Sequence, residues 1–103
     1  MAIMEISVIP IGTGTASVSR FVAQAIDVLE NEKNIEYQLT PMGTIIESDS
    51  TEHLLTIAGE MHNIVFGDEV KRVVTTIKLD ERKDKELTMN GKLKSVKEKL
   101  KNK

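Results

Sequence analysis

With 103 residues, 40% hydrophobic and 29% charged, the chain has the composition of one soluble globular domain, and no run approaches membrane-spanning length. The absence of cysteine excludes disulfides, thiolate metal sites, iron–sulfur clusters and a cysteine nucleophile. A formal net charge of -2 supplies no field to draw in nucleic acid, and aromatic residues at 3% leave little for base stacking or an aromatic cage.

The charge is unevenly spread. Residues 92–103 hold six lysines against one glutamate, which leaves eight basic against fifteen acidic residues in the rest of the chain. Met1–Glu5 has no basic segment followed by a long apolar stretch, so a cytoplasmic location is the expectation.

Ile3 to Ile11 is rich in β-branched residues and bounded by Pro10 and Gly12, which predicts a strand. Met4, Ile6 and Val8 point to one side; Ile3, Glu5, Ser7 and Ile9 point to the other. A hydroxyl-rich loop over Gly12–Ser17 follows, with Ser17 suited to cap a helix whose stripe is Val18, Phe21, Val22, Ala25, Ile26 and Leu29. The glycines at 12 and 14 lack the spacing and the lysine of a phosphate loop. The helix is expected to fade over Asn31–Asn34.

Two alternating runs then flank Thr40-Pro41-Met42-Gly43, which reads as a β-hairpin: proline presets φ in the turn and glycine relaxes its exit. With Pro41-Met42 as the turn, Leu39 faces Thr44, Gln38 faces Ile45, Tyr37 faces Ile46 and Glu36 faces Glu47. Tyr37, Leu39, Thr44 and Ile46 then share a packed face, and the opposite face carries Gln38, Ile45 and two carboxylates. Ser48–Thr51 signals a second helix start, and Leu54, Leu55, Ala58, Met61 and Val65 form its expected stripe, closed by Phe66-Gly67. His53 and His62, nine residues apart, sit about 180° from each other on that helix and cannot chelate one metal within a subunit.

Val70 to Leu79 is the expected fourth strand, with Val73, Thr75, Ile77 and Leu79 on one face and Val74, Thr76 and Lys78 on the other. Thr88 caps a last helix, in which Met89, Leu93, Val96 and Leu100 recur as an amphipathic stripe. The order β-α-β-β-α-β with two right-handed crossovers gives an α+β, ferredoxin-like sandwich: a four-stranded antiparallel sheet with two helices on one face. Residues 1–103 are read as one domain, with 88–103 a helical extension that must pack on its own domain or on another subunit.

The second sheet face is left open. It carries Ile3, Ile9, Ile45 and Val74 interleaved with Glu5, Ser7, Gln38, Glu47, Thr76 and Lys78, which suits an interface or a ligand surface. Carboxylates buried there need partners, such as Lys78 or an amine or amidine edge of a ligand.

Three features together resemble the small thiamine-binding protein family: Tyr37-x-Leu39-Thr40-Pro41-Met42-Gly43-Thr44-x-x-Glu47, the hydroxyl-rich loop before Val18-Ser19, and Ile77–Arg82 followed by Lys92-x-x-Ser95-Val96. The resemblance runs from Ile3 to about Val96. It implies a ferredoxin-like protomer, a homotetramer built through sheet edges and open faces, and binding of thiamine or its hydroxymethylpyrimidine part. It implies carriage or sensing of the vitamin, with no established catalysis. Glu47, Thr44 and Met42 match the hairpin motif, and Ser17 and Ser19 match the loop-and-helix motif. From the open face, Glu5, Ser7, Gln38 and Lys78 join them as candidate ligand contacts.

Other functions of the same topology fit less well. An RNA-recognition domain stacks bases on aromatics of its first and third strands, and neither strand here has one. A free-standing sensor of another small metabolite is the runner-up. No nucleophile–base pair, metal cluster or cofactor fingerprint is apparent, so a non-catalytic protein without cofactor, nucleic-acid or membrane partner is expected.

Overall fold

The computed structural model describes residues 1–14 and 18–102. The elements run β1 (Ala2–Ile11), α1 (Ser19–Glu30), β2 (Ile35–Thr40), β3 (Gly43–Ser48), α2 (Thr51–Ile64), β4 (Arg72–Glu81) and α3 (Met89–Lys101). The four strands form one antiparallel sheet in the order β2-β3-β1-β4, so β1 and β3 are central and β2 and β4 are edges. The fold is the expected ferredoxin-like sandwich with a third, C-terminal helix.

The hairpin register is the one its turn dictates: Leu39 pairs with Thr44, Tyr37 with Ile46 and Glu36 with Glu47. Thr40 stiffens the turn, its hydroxyl donating to the Gly43 carbonyl at 2.8 Å and accepting from the Met42 amide at 3.3 Å. At Gly43, an added Cβ would meet the Ile6 carbonyl oxygen at 3.0 Å, so the close approach of β3 to β1 favours glycine there. Asn34, at φ 64°, makes the reversal from α1 into β2, a left-handed position that asparagine tolerates.

Alternation along β1 decides the layers. Ala2, Met4, Ile6 and Val8 are buried beneath the helices, packed with Phe21, Ala25 and Leu29 of α1 and Leu54, Ile57, Ala58 and Met61 of α2. Ser50 caps α2, its hydroxyl accepting from the His53 amide at 3.1 Å. In α1 the N-cap position belongs to Val18, which offers no side-chain cap; Ser17 lies outside the described residues.

Several sequence expectations shift: Tyr37 (37% exposed) and Leu39 (57%) on the edge strand β2 are not packed, and Val22 (39%) falls outside the buried stripe of α1. The buried stripe of α2 runs through Ile57 (0% exposed) rather than Leu55 (47%), because positions 54, 57, 58, 61 and 65 keep one helical face while 55 turns about 100° away. The fourth strand starts at Arg72 rather than Val70: Gly67 and Val70 exchange both amide–carbonyl bonds at 3.2 Å in a turn, and pairing with β1 begins only where Arg72 meets Ile11.

Candidate functional site

The two core helices leave one sheet face uncovered. In register on it, Glu5 of β1 lies between Ile45 of β3 and Lys78 of β4, and Ile3 lies between Glu47 and Asp80. Gln38 of β2 continues the row beyond Ile45. The helix α3 rises at one end of this face. Thr88 accepts from the Gly91 amide at 2.9 Å, as its capping role requires.

Between the sheet and the first turns of α3 lies a recess of about 420 Å³. Ile3, Glu5, Gln38, Ile45 and Lys78 form its floor, and Asp80, Met89, Lys92 and Leu93 its wall. The size falls within the usual range for small-molecule sites.

The polar groups around the recess divide into engaged and free. Asp80 Oδ2 and Lys92 Nζ form an ion pair at 2.7 Å, tying α3 to β4. Glu47, 8% exposed, accepts the Met89 amide hydrogen at 2.7 Å on Oε2. A carboxylate at the first turn of a helix satisfies an orphan donor and the positive end of the dipole together. Among the described residues, the side chains of Glu5, Gln38 and Lys78 have no hydrogen bond or ion pair. One carboxylate, one carboxamide and one ammonium thus stand unpaired on an otherwise apolar floor. That set can read a flat ligand edge that both donates and accepts.

The candidate residues therefore fall into separate places. Glu5, Gln38 and Lys78 line the open-face recess. Glu47 shares their sheet face but lies outside the lining and holds α3 instead. Thr44 (4% exposed) is on the helix-covered face, opposite in direction to Glu47, so the two cannot meet one small ligand inside a protomer. Thr44, Met42 and Ser7 border a second, smaller recess of about 210 Å³ between the hairpin tip, β1 and α1. Met42, 87% exposed, projects at that tip. Ser19 opens α1 on the surface, and Ser17 is outside the described residues.

Sequence reasoning missed the wall. Met89 and Lys92 come to the site only because α3 leaves its cap toward the sheet, a direction that local spacing does not encode, whereas Asp80 follows Lys78 by alternation once β4 runs on past Leu79. The one available signal was the pair of carboxylates short of partners.

The two histidines are engaged elsewhere. His53 Nε2 lies 3.0 Å from Glu32 Oε2 and its Nδ1 3.5 Å from Ser48 Oγ, joining α2 to the turn after α1. His62 Nδ1 lies 2.6 Å from Thr75 Oγ1. Among the described residues no group of three or more His, Asp or Glu side chains is placed to hold a metal, and no helix is long and apolar enough to cross a membrane. In the turn between β4 and α3, the hydrogen bond from Arg82 holds the Asp84 carboxyl below its ordinary range.

Residues 4–97 match the family model described as thiamine-binding protein. The chain is 42% identical over 99 residues to the UPF0045 protein YqgV of Bacillus subtilis, covering 93% of this chain and 94% of that one. It is 44% identical over 94 residues to the UPF0045 protein MJ1052 of Methanocaldococcus jannaschii, covering 91% and 90%. The crystal structure of the latter superposes with a TM-score of 0.85 over 94% of this chain and 96% of that one, at 41% identity. A domain of unknown function from Bacillus cereus, 26% identical, superposes with a TM-score of 0.75 over 88% and 85%.

Proposed function

The chain belongs to the thiamine-binding protein family, and from that premise we propose that it binds thiamine, through the hydroxymethylpyrimidine moiety, in the open-face recess. The observation that carries this reading is the unpaired trio of Glu5, Gln38 and Lys78 on the apolar floor. An aminopyrimidine presents an exocyclic donor beside ring-nitrogen acceptors. A carboxylate accepts from the former, and a carboxamide or ammonium donates to the latter, while Ile3 and Ile45 take the ring face. Asp80 and Lys92 neutralise each other as an ion pair, so with Glu5 and Lys78 the lining charges sum to zero and set no net field against the cationic thiazolium.

In this reading the protein is a non-catalytic carrier or sensor that works as a homo-oligomer, a tetramer by preference. The protomer's shape supports assembly. Its radius of gyration is 15.5 Å, against roughly 13 Å for a compact domain of this length. The excess length goes with α3, which buries none of its residues and exposes Leu93, Val96 and Leu100. A second protomer packed against α3 and the open face would cover this apolar surface and close the recess.

Calorimetric titration with thiamine and, separately, hydroxymethylpyrimidine tests the proposal. Saturable binding of both, lost in Glu5→Ala and in Lys78→Met, is expected. Wild-type protein that takes up neither compound would overturn it in favour of another small metabolite.

A further inference from the structure

Glu47 is the one carboxylate of the open face that is almost wholly withdrawn from water. Its Oε2 accepts from a backbone amide 42 residues further along the chain, at 2.7 Å. That amide belongs to Met89, the first residue of α3, whose Met89, Lys92 and Leu93 side chains wall the recess. The helix has little else to fix it: none of its residues is buried, and Asp80–Lys92, its other tie to the sheet, is an ion pair about half exposed on each side. Exposed pairs of that kind are weak, whereas a charge-assisted hydrogen bond to a buried carboxylate is among the stronger polar contacts.

We propose that Glu47 is a positioning residue for the binding recess: by accepting the Met89 amide hydrogen it fixes α3 as the recess wall, and it acts on the ligand through that helix without touching it. This rests on the open-face recess being the binding site. The geometry separates the two possible roles of Glu47. A contact residue would line the recess, and Glu47 does not; its carboxylate is spent on the helix terminus.

The donor can be removed without touching Glu47. Met89 is the first helical residue, the position at which proline is best tolerated, because its missing N–H has no partner within the helix. Thr88, which would precede that proline, is already extended at φ -132°, ψ 157°, the conformation that a following proline requires. Met89→Pro therefore deletes the hydrogen bond and leaves the helix, with Met89→Ala as the control that loses the side chain but keeps the amide.

The experiment measures thiamine affinity and backbone amide exchange of residues 90–94 in full-length wild type, Glu47→Gln, Glu47→Ala, Met89→Ala, Met89→Pro and the double variant Glu47→Ala/Met89→Pro. Glu47→Ala against wild type, and Met89→Pro against Met89→Ala, are each expected to weaken thiamine binding by roughly tenfold, the size of one charge-assisted hydrogen bond. Combining them should add little, because both remove one interaction. Exchange of the first turn of α3 should rise in both. Glu47→Gln, whose amide oxygen still accepts but without the charge, should fall between wild type and Glu47→Ala. Affinity lost in Glu47→Ala but unchanged between Met89→Pro and Met89→Ala would overturn the inference and make Glu47 a contact residue. So would unaltered exchange of α3 in Glu47→Ala. Should wild type not bind thiamine, the proposed ligand fails, and the exchange comparison alone decides whether Glu47 holds the helix.

Discussion

Glu36 and Glu47 stand directly opposite one another on β2 and β3, and they meet opposite fates. Glu47 is buried with a helix amide on its carboxylate, while Glu36 faces solvent on the edge strand. Like charges facing across a strand pair repel, so the arrangement costs stability that the α3 contact offsets. Glu36→Lys replaces the repulsion by attraction without disturbing Glu47's hydrogen bond. It is expected to stabilise the protein by about 0.5 kcal/mol, measured as a higher urea midpoint at unchanged slope.

The core face of α2 gives a sharper contrast. Ile57→Ala removes a fully buried side chain from between α2 and the sheet, and a loss of about 2–5 kcal/mol is expected. Leu55→Ala, two residues earlier on the same helix but 47% exposed, should cost only about 0.5 kcal/mol. Denaturant unfolding of the two variants side by side checks this, and equal losses would contradict the placement of the helix.

What the sequence revealed depended on how local the cause was. The β2–β3 register followed from a two-residue turn whose proline and glycine fix it, and from there the two faces of the sheet could be assigned residue by residue. The cap at Thr88 was legible for the same reason, since it serves an amide three residues away, while at α2 the sequence marked a start over Ser48–Thr51 within which the structure selects Ser50. Leu55 was mistaken for a core residue because adjacent leucines differ by one step of helix rotation, and composition does not choose between them. Val70 extended the apparent strand because a buried valine in a turn has the same signature as one in a sheet. The hydrogen bond between Glu47 and Met89 was beyond reach. It needs the direction in which α3 leaves its cap, which tertiary packing sets.

The apolar stripe of α3 leads to an assembly test. Val96 and Leu100 are each 57% exposed and lie outside the recess. If a second protomer covers them, Val96→Glu/Leu100→Glu buries two charges in that contact and should dissociate the oligomer. Light scattering is expected to give a wild-type mass near four times 11.5 kDa, falling toward that of one chain in the variant. A wild-type monomer at micromolar concentration would contradict the assembly.

In the turn leading to α3, the Asp84 carboxyl is held below its ordinary range by the Arg82 hydrogen bond, and the guanidinium is raised in return. A carboxyl lowered on folding contributes stability that is present above its unfolded pKa and lost as pH falls through the lowered folded value. Both groups are exposed, so the effect is small and local. Protection of the amides over residues 82–85, taken relative to the intrinsic exchange rate at each pH, should therefore fall on acidification below the ordinary aspartate range. Asp84→Asn should show raised exchange already at neutral pH.

Amide chemical-shift mapping during a thiamine titration distinguishes a ligand on the open sheet face from one on the other side of the sheet. Shifts are expected along residues 3–5, 45 and 78–80 and in the first turns of α3, with the amides of residues 40, 42 and 43 unchanged. Shifts concentrated instead at residues 40–44 and in α1, around the smaller recess at the hairpin tip, would contradict binding on the open face and move the site to the other face of the sheet.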